Sequence, residues 1–357
     1  MSKSRGETAG AAIPERSRVW RVTGPGEIHM QERPTPRPAD GELLVRITVA
    51  LTCGTDLKLV ERGHPKIPFP APLGHEWAGR VAAVGAGVSG FATGTRVAAL
   101  PTAPCGDCAY CVRRLENLCI HLFDVTAFGA FGDTLIVPRH IVARNTFEIP
   151  EAVPDEAAAF LEPLACVVHG ASLVRLGGDR TVVLLGDGPI ALLFLQVARL
   201  AGADRIVLVG RHEARLAAAR ALGAEHVVDA SRESPEAIVR EWTDGLGGDT
   251  VVECIGRPEA WAQAVSLARR GGEVLFFGGC ERGTELRLDT ERVHYDELTL
   301  RGGFHYTAAS ARRAFEWICA RALHLDPLLS GTVDLAELPL AFERVRRREA
   351  VKMAVRP

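Results

Sequence analysis

No run of apolar residues in this chain approaches the ~20 that a membrane-crossing helix requires, so no partner inside a bilayer is expected. Charge of one sign is missing too. The 42 basic and 44 acidic residues leave a net charge of -2, which argues against a nucleic acid or an anionic membrane as partner. The longest basic run, Arg344 to Arg348, is broken by Val345 and reads as a solvated helix face. Residues Met1 to Arg18 are polar and small, with no apolar centre for a signal peptide. They read as a disordered leader, and the expected location is the cytoplasm, where thiols stay reduced. Internal repeats and low-complexity tracts are absent as well.

What is present is a globular composition: 47% hydrophobic residues, 24% charged, 36 Gly and 21 Pro in 357 residues. That length suits two domains. From residue 19 to about 150, short apolar runs (Leu43 to Ala50, Arg80 to Val84, Arg96 to Leu100, Thr134 to Val137) alternate with turn residues. They predict a compact, barrel-like antiparallel domain. Beyond Glu162 the texture changes. Apolar strands at Thr181 to Leu185, Arg205 to Val209, Val227–Val228, Thr250 to Cys254 and Glu273 to Phe277 are predicted. Helices at Ile190 to Leu200, Glu213 to Leu222 and Ala260 to Arg269 would lie between them. That alternation predicts an α/β fold with a doubly wound parallel sheet. A helix from Ala308 to Ala322 and the segment Leu335 to Val355 are expected to return to the first domain.

The first parallel strand runs into Gly186-Asp187-Gly188-Pro189-Ile190-Ala191. Gly186 allows a tight turn, Gly188 a close approach to pyrophosphate, and Ala191 close packing of helix on strand. The helix N-terminus would offer its free N–H groups to the phosphates. At the end of the second strand the chain reads Val209-Gly210-Arg211-His212, without the carboxylate that would hold the ribose of NAD. Arg211 is suited to a 2′-phosphate, so NADP is favoured over NAD. The other reading makes Arg211 a surface residue and Glu213 a displaced ribose ligand.

Five of the nine cysteines belong to two constellations. Cys105, Cys108, Cys111 and Cys119 carry the spacing of a closed four-thiolate structural zinc; an iron–sulfur cluster fits the spacing poorly. Cys53, His75, Glu76 and Glu162 are dispersed, and each alone has a plain reading. Together they match a catalytic zinc with one position open. Asp56 is placed to accept the His75 ring N–H. Cys166, Cys254, Cys280 and Cys319 sit in apolar settings and read as packing residues.

Cys53-Gly54-Thr55-Asp56, Gly74-His75-Glu76 followed by Gly79, Val84-Gly85 and Val88, the four-cysteine loop, Glu162-Pro163-Leu164 and the Gly186 turn occur here in order. In this, the chain resembles the zinc-dependent medium-chain dehydrogenases, the alcohol dehydrogenase superfamily, from about Val19 to Pro357. Glu162-Pro163-Leu164 looks like the sorbitol and threonine dehydrogenase branch. The resemblance implies a GroES-like catalytic domain over 19–165 and 305–357, with a zinc lobe at 104–120. A Rossmann domain over 166–304 would complete the fold. It implies two zincs per chain, Cys53 and His75 holding the catalytic one while Glu76 and Glu162 share the remaining coordination. Thr55 would relay the alcohol proton, and Phe304 would join Gly186, Gly188, Pro189, Ile190, Gly210 and Arg211 at the cofactor. The implied reaction is hydride transfer between a secondary alcohol (polyol, sugar or amino alcohol) or its ketone and NAD(P). The implied assembly is a homodimer or homotetramer. Alternatives are a zinc-free enone or quinone reductase of the same superfamily and a non-enzymatic dinucleotide-binding homologue. Three positions depart from the pattern: Lys58 where a relay histidine is common, His305 where sorbitol-type enzymes carry arginine, and Gly210 in place of the NAD-selecting acid.

Overall fold

The computed structural model describes residues 13–64 and 66–357. Residues 1–12 of the expected leader lie outside that range, and the first strand, Arg16–Gly24, begins inside the rest of it. The strand pairs antiparallel with Glu27–Pro34, and its N-terminal part is tied to a loop by the Arg18–Asp133 ion pair.

The second half forms a six-stranded parallel sheet. From one edge to the other its strands are His226–Asp229, Ala203–Gly210, Gly178–Leu185, Gly248–Glu253, Ala268–Phe276 and Thr299–Gly302. The strand residues are apolar on both sides because both faces are covered. Val182, Leu184, Ile206, Leu208 and Val252 point into one core, with Leu192, Phe194 and Leu216 from helices Pro189–Leu200 and Glu213–Ala221. Val183, Leu185, Val207, Val209 and Val251 point into the other, with Val239, Ala260 and Ala264 from helices Pro235–Trp242 and Pro258–Leu267. The period of two along each strand thus sorts neighbouring residues to opposite layers. The helix expected to reach Arg269 stops at Leu267, because Ala268 already turns to extended backbone and opens the next strand.

The first half is built around a sheet in which Leu43–Leu51 pairs antiparallel with Trp77–Val84 and with Thr134–Val137. Helices interrupt the expected run of strands, among them Gly54–Arg62 and Arg139–Asn145. Both are under three turns, too short for a helical period to stand out in the sequence. Helix Ala308–Cys319, capped by Thr307 and Ser310 against each other, packs Ala311, Ala314 and Ile318 into the core shared with helix Leu161–Ala171. After helix Leu338–Arg346 the chain closes with strand Lys352–Arg356. Its residues Ala354 and Val355 face Leu51 and Ala50 of the first sheet.

Candidate active site

Strand Leu43–Leu51 delivers the chain to Thr52 and Cys53, and the backbone there is locked to the closing strand. Thr52 N–H donates to Met353 O at 3.0 Å, and Met353 N–H donates to Thr52 Oγ1 at 2.9 Å. Cys53 then caps helix Gly54–Arg62, its Sγ accepting from the Thr55 N–H at 3.4 Å. Thr55 itself is exposed, its hydroxyl free to meet solvent or substrate.

Asp56 is almost fully buried, and its Oδ1 binds the Gly74 N–H at 3.0 Å and His75 Nδ1 at 3.3 Å. The carboxylate thereby turns the imidazole and fixes its tautomer, leaving Nε2 for other work. Phe128 sets its ring edge against His75 at 5.6 Å. One ligand atom each from Cys53, His75 and Glu76 lie within 4.8 Å of one another. Burial disfavours the charged imidazole of His75, but Asp56 and Cys53 overcome it and hold its pKa well above the ordinary histidine value.

Glu76 has a partner that the sequence reading missed. Lys352, on the closing strand, is fully buried and donates to Glu76 Oε2 and, at 2.8 Å, to Thr52 O. Burial works against its charge, yet Glu76 and Cys53 raise its pKa above the ordinary lysine value. Glu76 Oε1 and Asp56 Oδ2 stay without a hydrogen-bond partner although buried. Buried carboxylate oxygens left open beside a thiol and an imidazole are what a divalent cation would satisfy. The residues therefore fit a zinc.

Glu162 stands in the first turn of helix Leu161–Ala171. It is not within the Cys53, His75 and Glu76 set; its ligating atom groups instead with those of Cys166 and His305, all within 4.8 Å of one another. Its pKa is raised to about 7, by burial first, with His75 opposing and Glu76 adding to the rise. Cys166 donates towards Glu162 Oε1 at 3.5 Å. The packing role expected for this thiol therefore accounts for only part of its surroundings. Lys58 is exposed on its helix; Lys66 instead holds its ammonium over Phe123 and Phe304, at 5.1 and 5.5 Å from the ring centres.

The four-cysteine loop closes on itself. Ligand atoms of Cys105, Cys108, Cys111 and Cys119 lie within 4.8 Å of one another, with Cys105 Sγ 3.8 Å from Cys111 Sγ and 3.5 Å from Cys119 Sγ. The backbone N–H groups of Cys111 and Ile120 pull the Cys108 thiol down to about 6, while burial pushes Cys111 up to about 12. Among the described residues, its apolar support is a small cluster of the cysteines with Leu122 and Phe123. A lobe with so little core depends on its metal. Replacing Cys108 by serine should therefore lower the thermal midpoint and remove about one zinc per chain, with kcat nearly unchanged in the surviving folded protein. A selective loss of kcat in a fully folded variant would contradict the structural role.

At the dinucleotide turn Gly186 has φ +131°, and a Cβ there would lie 3.3 Å from that of Cys254. Only glycine adopts this conformation readily. Gly188 begins helix Pro189–Leu200 with no side-chain cap, so the first N–H groups, Ile190 among them, point outward without an internal partner. The missing acid at the end of the second strand comes from the glycine turn itself. Asp187 Oδ2 accepts from the Arg211 N–H at 2.8 Å, the His212 N–H at 3.0 Å and His212 Nδ1 at 2.8 Å. Burial raises the Asp187 pKa, but these donors outweigh it and hold the carboxyl below its ordinary range. A Cβ on Gly210 would meet Asp187 Cβ at 2.6 Å. The glycine at 210 and the acid at 187 are thus one device. Phe304 lines a cleft of about 490 Å³ with Phe277, Gly278, Gly279 and Gly303. This cleft opens at the carboxyl end of strand Ala268–Phe276, where parallel sheets bind ligands.

A parallel sheet with this strand order, a glycine turn at its centre, and a Cys–His–Glu cluster beside a four-thiol loop define a zinc-type dehydrogenase. Comparison with known proteins agrees. Residues 39–151 match the alcohol dehydrogenase GroES-like domain, and residues 189–320 match the zinc-binding dehydrogenase domain. The chain is 32% identical to an L-threonine 3-dehydrogenase of Bacillus velezensis, over 92% of this chain and 95% of the relative. It is 29% identical to a sorbitol dehydrogenase of Halalkalibacterium halodurans, over 94% and 97%. A crystal structure from Sinorhizobium meliloti, described as a zinc-binding dehydrogenase bound to NADP, superposes with a TM-score of 0.88. It is 31% identical and covers 96% of this chain and 100% of its own. The chain belongs to the zinc-type medium-chain alcohol dehydrogenase family, whose members are NAD(P)-dependent oxidoreductases acting on CH–OH donors.

Proposed function

We propose that this chain oxidises a secondary alcohol (a polyol, sugar or amino alcohol), or reduces the matching ketone, with NADP(H), and that it holds two zinc ions. The observation that carries the reading is the convergence of Cys53, His75 and Glu76 within 4.8 Å of one another, with open carboxylate oxygens between them. Cys53, His75 and Glu76, with Glu162 in reach of exchange, would hold the catalytic zinc; Cys105, Cys108, Cys111 and Cys119 would hold the structural one. Bound zinc supplies Lewis acidity at the substrate oxygen, and the nicotinamide supplies the hydride acceptor. The chain's own groups do the rest. Asp56 keeps the His75 ring in register. Thr55, beside Cys53 and open to solvent, receives the hydroxyl proton and hands it to water. The helix at Pro189 and the Phe304 cleft orient the dinucleotide. A zinc-free reductase would have no use for these ligands.

NADP is the cofactor this arrangement favours. Asp187 is buried, and its Oδ2 is engaged by the Arg211–His212 turn while its Oδ1 has Arg215 3.7 Å away. Arg211 is left exposed to meet a 2′-phosphate. The similarity to a structure bound to NADP supports the same assignment. A homodimer or homotetramer in the cytoplasm fits this reading.

Metal analysis of the purified protein, followed by assay of an alcohol panel with both cofactors, tests the whole. Two zincs per chain and alcohol-dependent NADP reduction are expected; the absence of zinc at the catalytic residues together with no turnover of any alcohol would defeat it. Arg211→Ala should weaken NADPH binding by about tenfold or more, the size of a lost charge-assisted contact, and leave NADH binding nearly untouched. Asp187→Ala, by releasing the turn, should act in the same direction. Fluorescence titration with each cofactor decides this, and equal losses for both would refute the phosphate role.

A further inference from the structure

Beside the catalytic cluster lies a second convergence; it shares Glu162 with the ligand set proposed above, on which reading it rests, and adds Cys166 and His305, to which the proposed reaction gives no role. We propose that Glu162, Cys166 and His305 form a separate seat for a thiophilic divalent cation such as Zn2+ or Cd2+, adjoining the Cys53, His75 and Glu76 position. One ligand atom from each of the three lies within 4.8 Å of the other two. Glu162 and Cys166 stand four residues apart on helix Leu161–Ala171, and so share a face, with Cys166 Sγ 3.5 Å from Glu162 Oε1.

His305 reaches them from the far side of the sequence, and it is held there at a cost. Its backbone has φ +62°, the left-handed region that residues with a Cβ avoid. Its Nε2 lies 2.8 Å from Thr102 Oγ1, which also bonds the Tyr306 hydroxyl at 2.7 Å. Phe123, Phe304 and Tyr306 pack their rings around it at 5.7, 5.5 and 3.9 Å. Strain of this kind persists where the surroundings over-determine a side chain. A hydroxyl partner on one ring nitrogen is the usual orienter of a ligating imidazole. All three residues keep partial solvent exposure rather than lying sealed in the core.

Thiolate, imidazole and carboxylate together select zinc, cadmium or cobalt over magnesium or calcium. Glu162 thus stands between two seats. A cation in the outer one would withdraw this carboxylate from the inner one and fill space beside it, so excess zinc should inhibit turnover.

The test uses the purified protein with its native metals, titrated with Cd2+. Thiolate-to-metal absorption, bound cadmium and released zinc are all measured. The wild type should take up one cadmium per chain beyond any exchanged for zinc, with a thiolate absorption band. Cys166→Ala should lose both the band and the extra equivalent. His305→Gln should bind it at least about tenfold more weakly, since even outer partners of a ligand are worth that much. The proposal is overturned if all cadmium uptake is matched by zinc release, or if the extra equivalent survives in Cys166→Ala. Native zinc content, read before any cadmium is added, tests the catalytic-zinc reading separately, so either can fail alone.

Discussion

Replacing Cys53 by serine is expected to cut turnover about a thousandfold or more while NADPH binding stays close to that of the wild type. Losing the Lewis acid at the substrate oxygen removes several kcal/mol of transition-state stabilisation, and each ~1.4 kcal/mol is a factor of ten. The separation of the two effects follows from the fold. Cys53 caps helix Gly54–Arg62 in the antiparallel half, whereas the dinucleotide turn belongs to the parallel sheet. Zinc content should fall by about one ion per chain, because the Cys105 loop shares no ligand with this site. Steady-state assay, metal analysis and cofactor titration on one preparation make the comparison. A variant that keeps wild-type turnover would remove Cys53 from the chemistry.

The second large effect concerns stability. Lys352→Met should lower the folding free energy by about 3–5 kcal/mol, the cost of stranding one member of a buried ion pair. Lys352 and Glu76 are both essentially without solvent contact, so water cannot take over the lost partner. Adding Glu76→Gln to the same chain should restore much of the loss, since the two together leave no uncompensated charge. Denaturant unfolding of the single and double variants reads this directly. A single variant as stable as the wild type would mean that the pair contributes little. A double variant no better than the single would mean that the loss comes from packing of the lysine stem.

The candidate ligands were legible in the chain because cysteine, histidine and carboxylate at fixed spacings have few other uses. The parallel sheet was legible because strands buried on both faces must be apolar throughout, as Thr181 to Leu185 is. Helix Gly54–Arg62 was not, being only nine residues long in a β-rich stretch. Lys352 left a signal that could have been read: a charged residue within Val351-Lys352-Met353-Ala354-Val355, where almost every neighbour is apolar. Its partner could not be named from sequence, since Glu76 lies 276 residues away. Asp187 shows a related gap. The rule that looks for an acid at the second strand's end considers only that strand, and here a carboxylate reaches the place from the neighbouring loop and binds the Arg211–His212 turn. Cys166 and His305 were read singly, one as packing and one as a departure from a family pattern. Only the folded chain sets them side by side.

The two metal positions differ in how much of the polypeptide must exist before they do. The four-thiol loop spans Cys105 to Cys119, a closure of 14 residues that costs little chain entropy. The proposed catalytic position needs Cys53, His75 and Glu76 backed by Lys352 and Met353, which arrive only with the closing strand. During synthesis the loop can therefore capture zinc while most of the parallel sheet is still unmade. The proposed catalytic residues, by contrast, would stay without the Lys352 and Met353 contacts until translation has passed residue 353. If both proposed zincs are bound, their acquisition would be ordered in time: the ion that holds the lobe would come first, and the ion beside the substrate only once nearly the whole chain has been made.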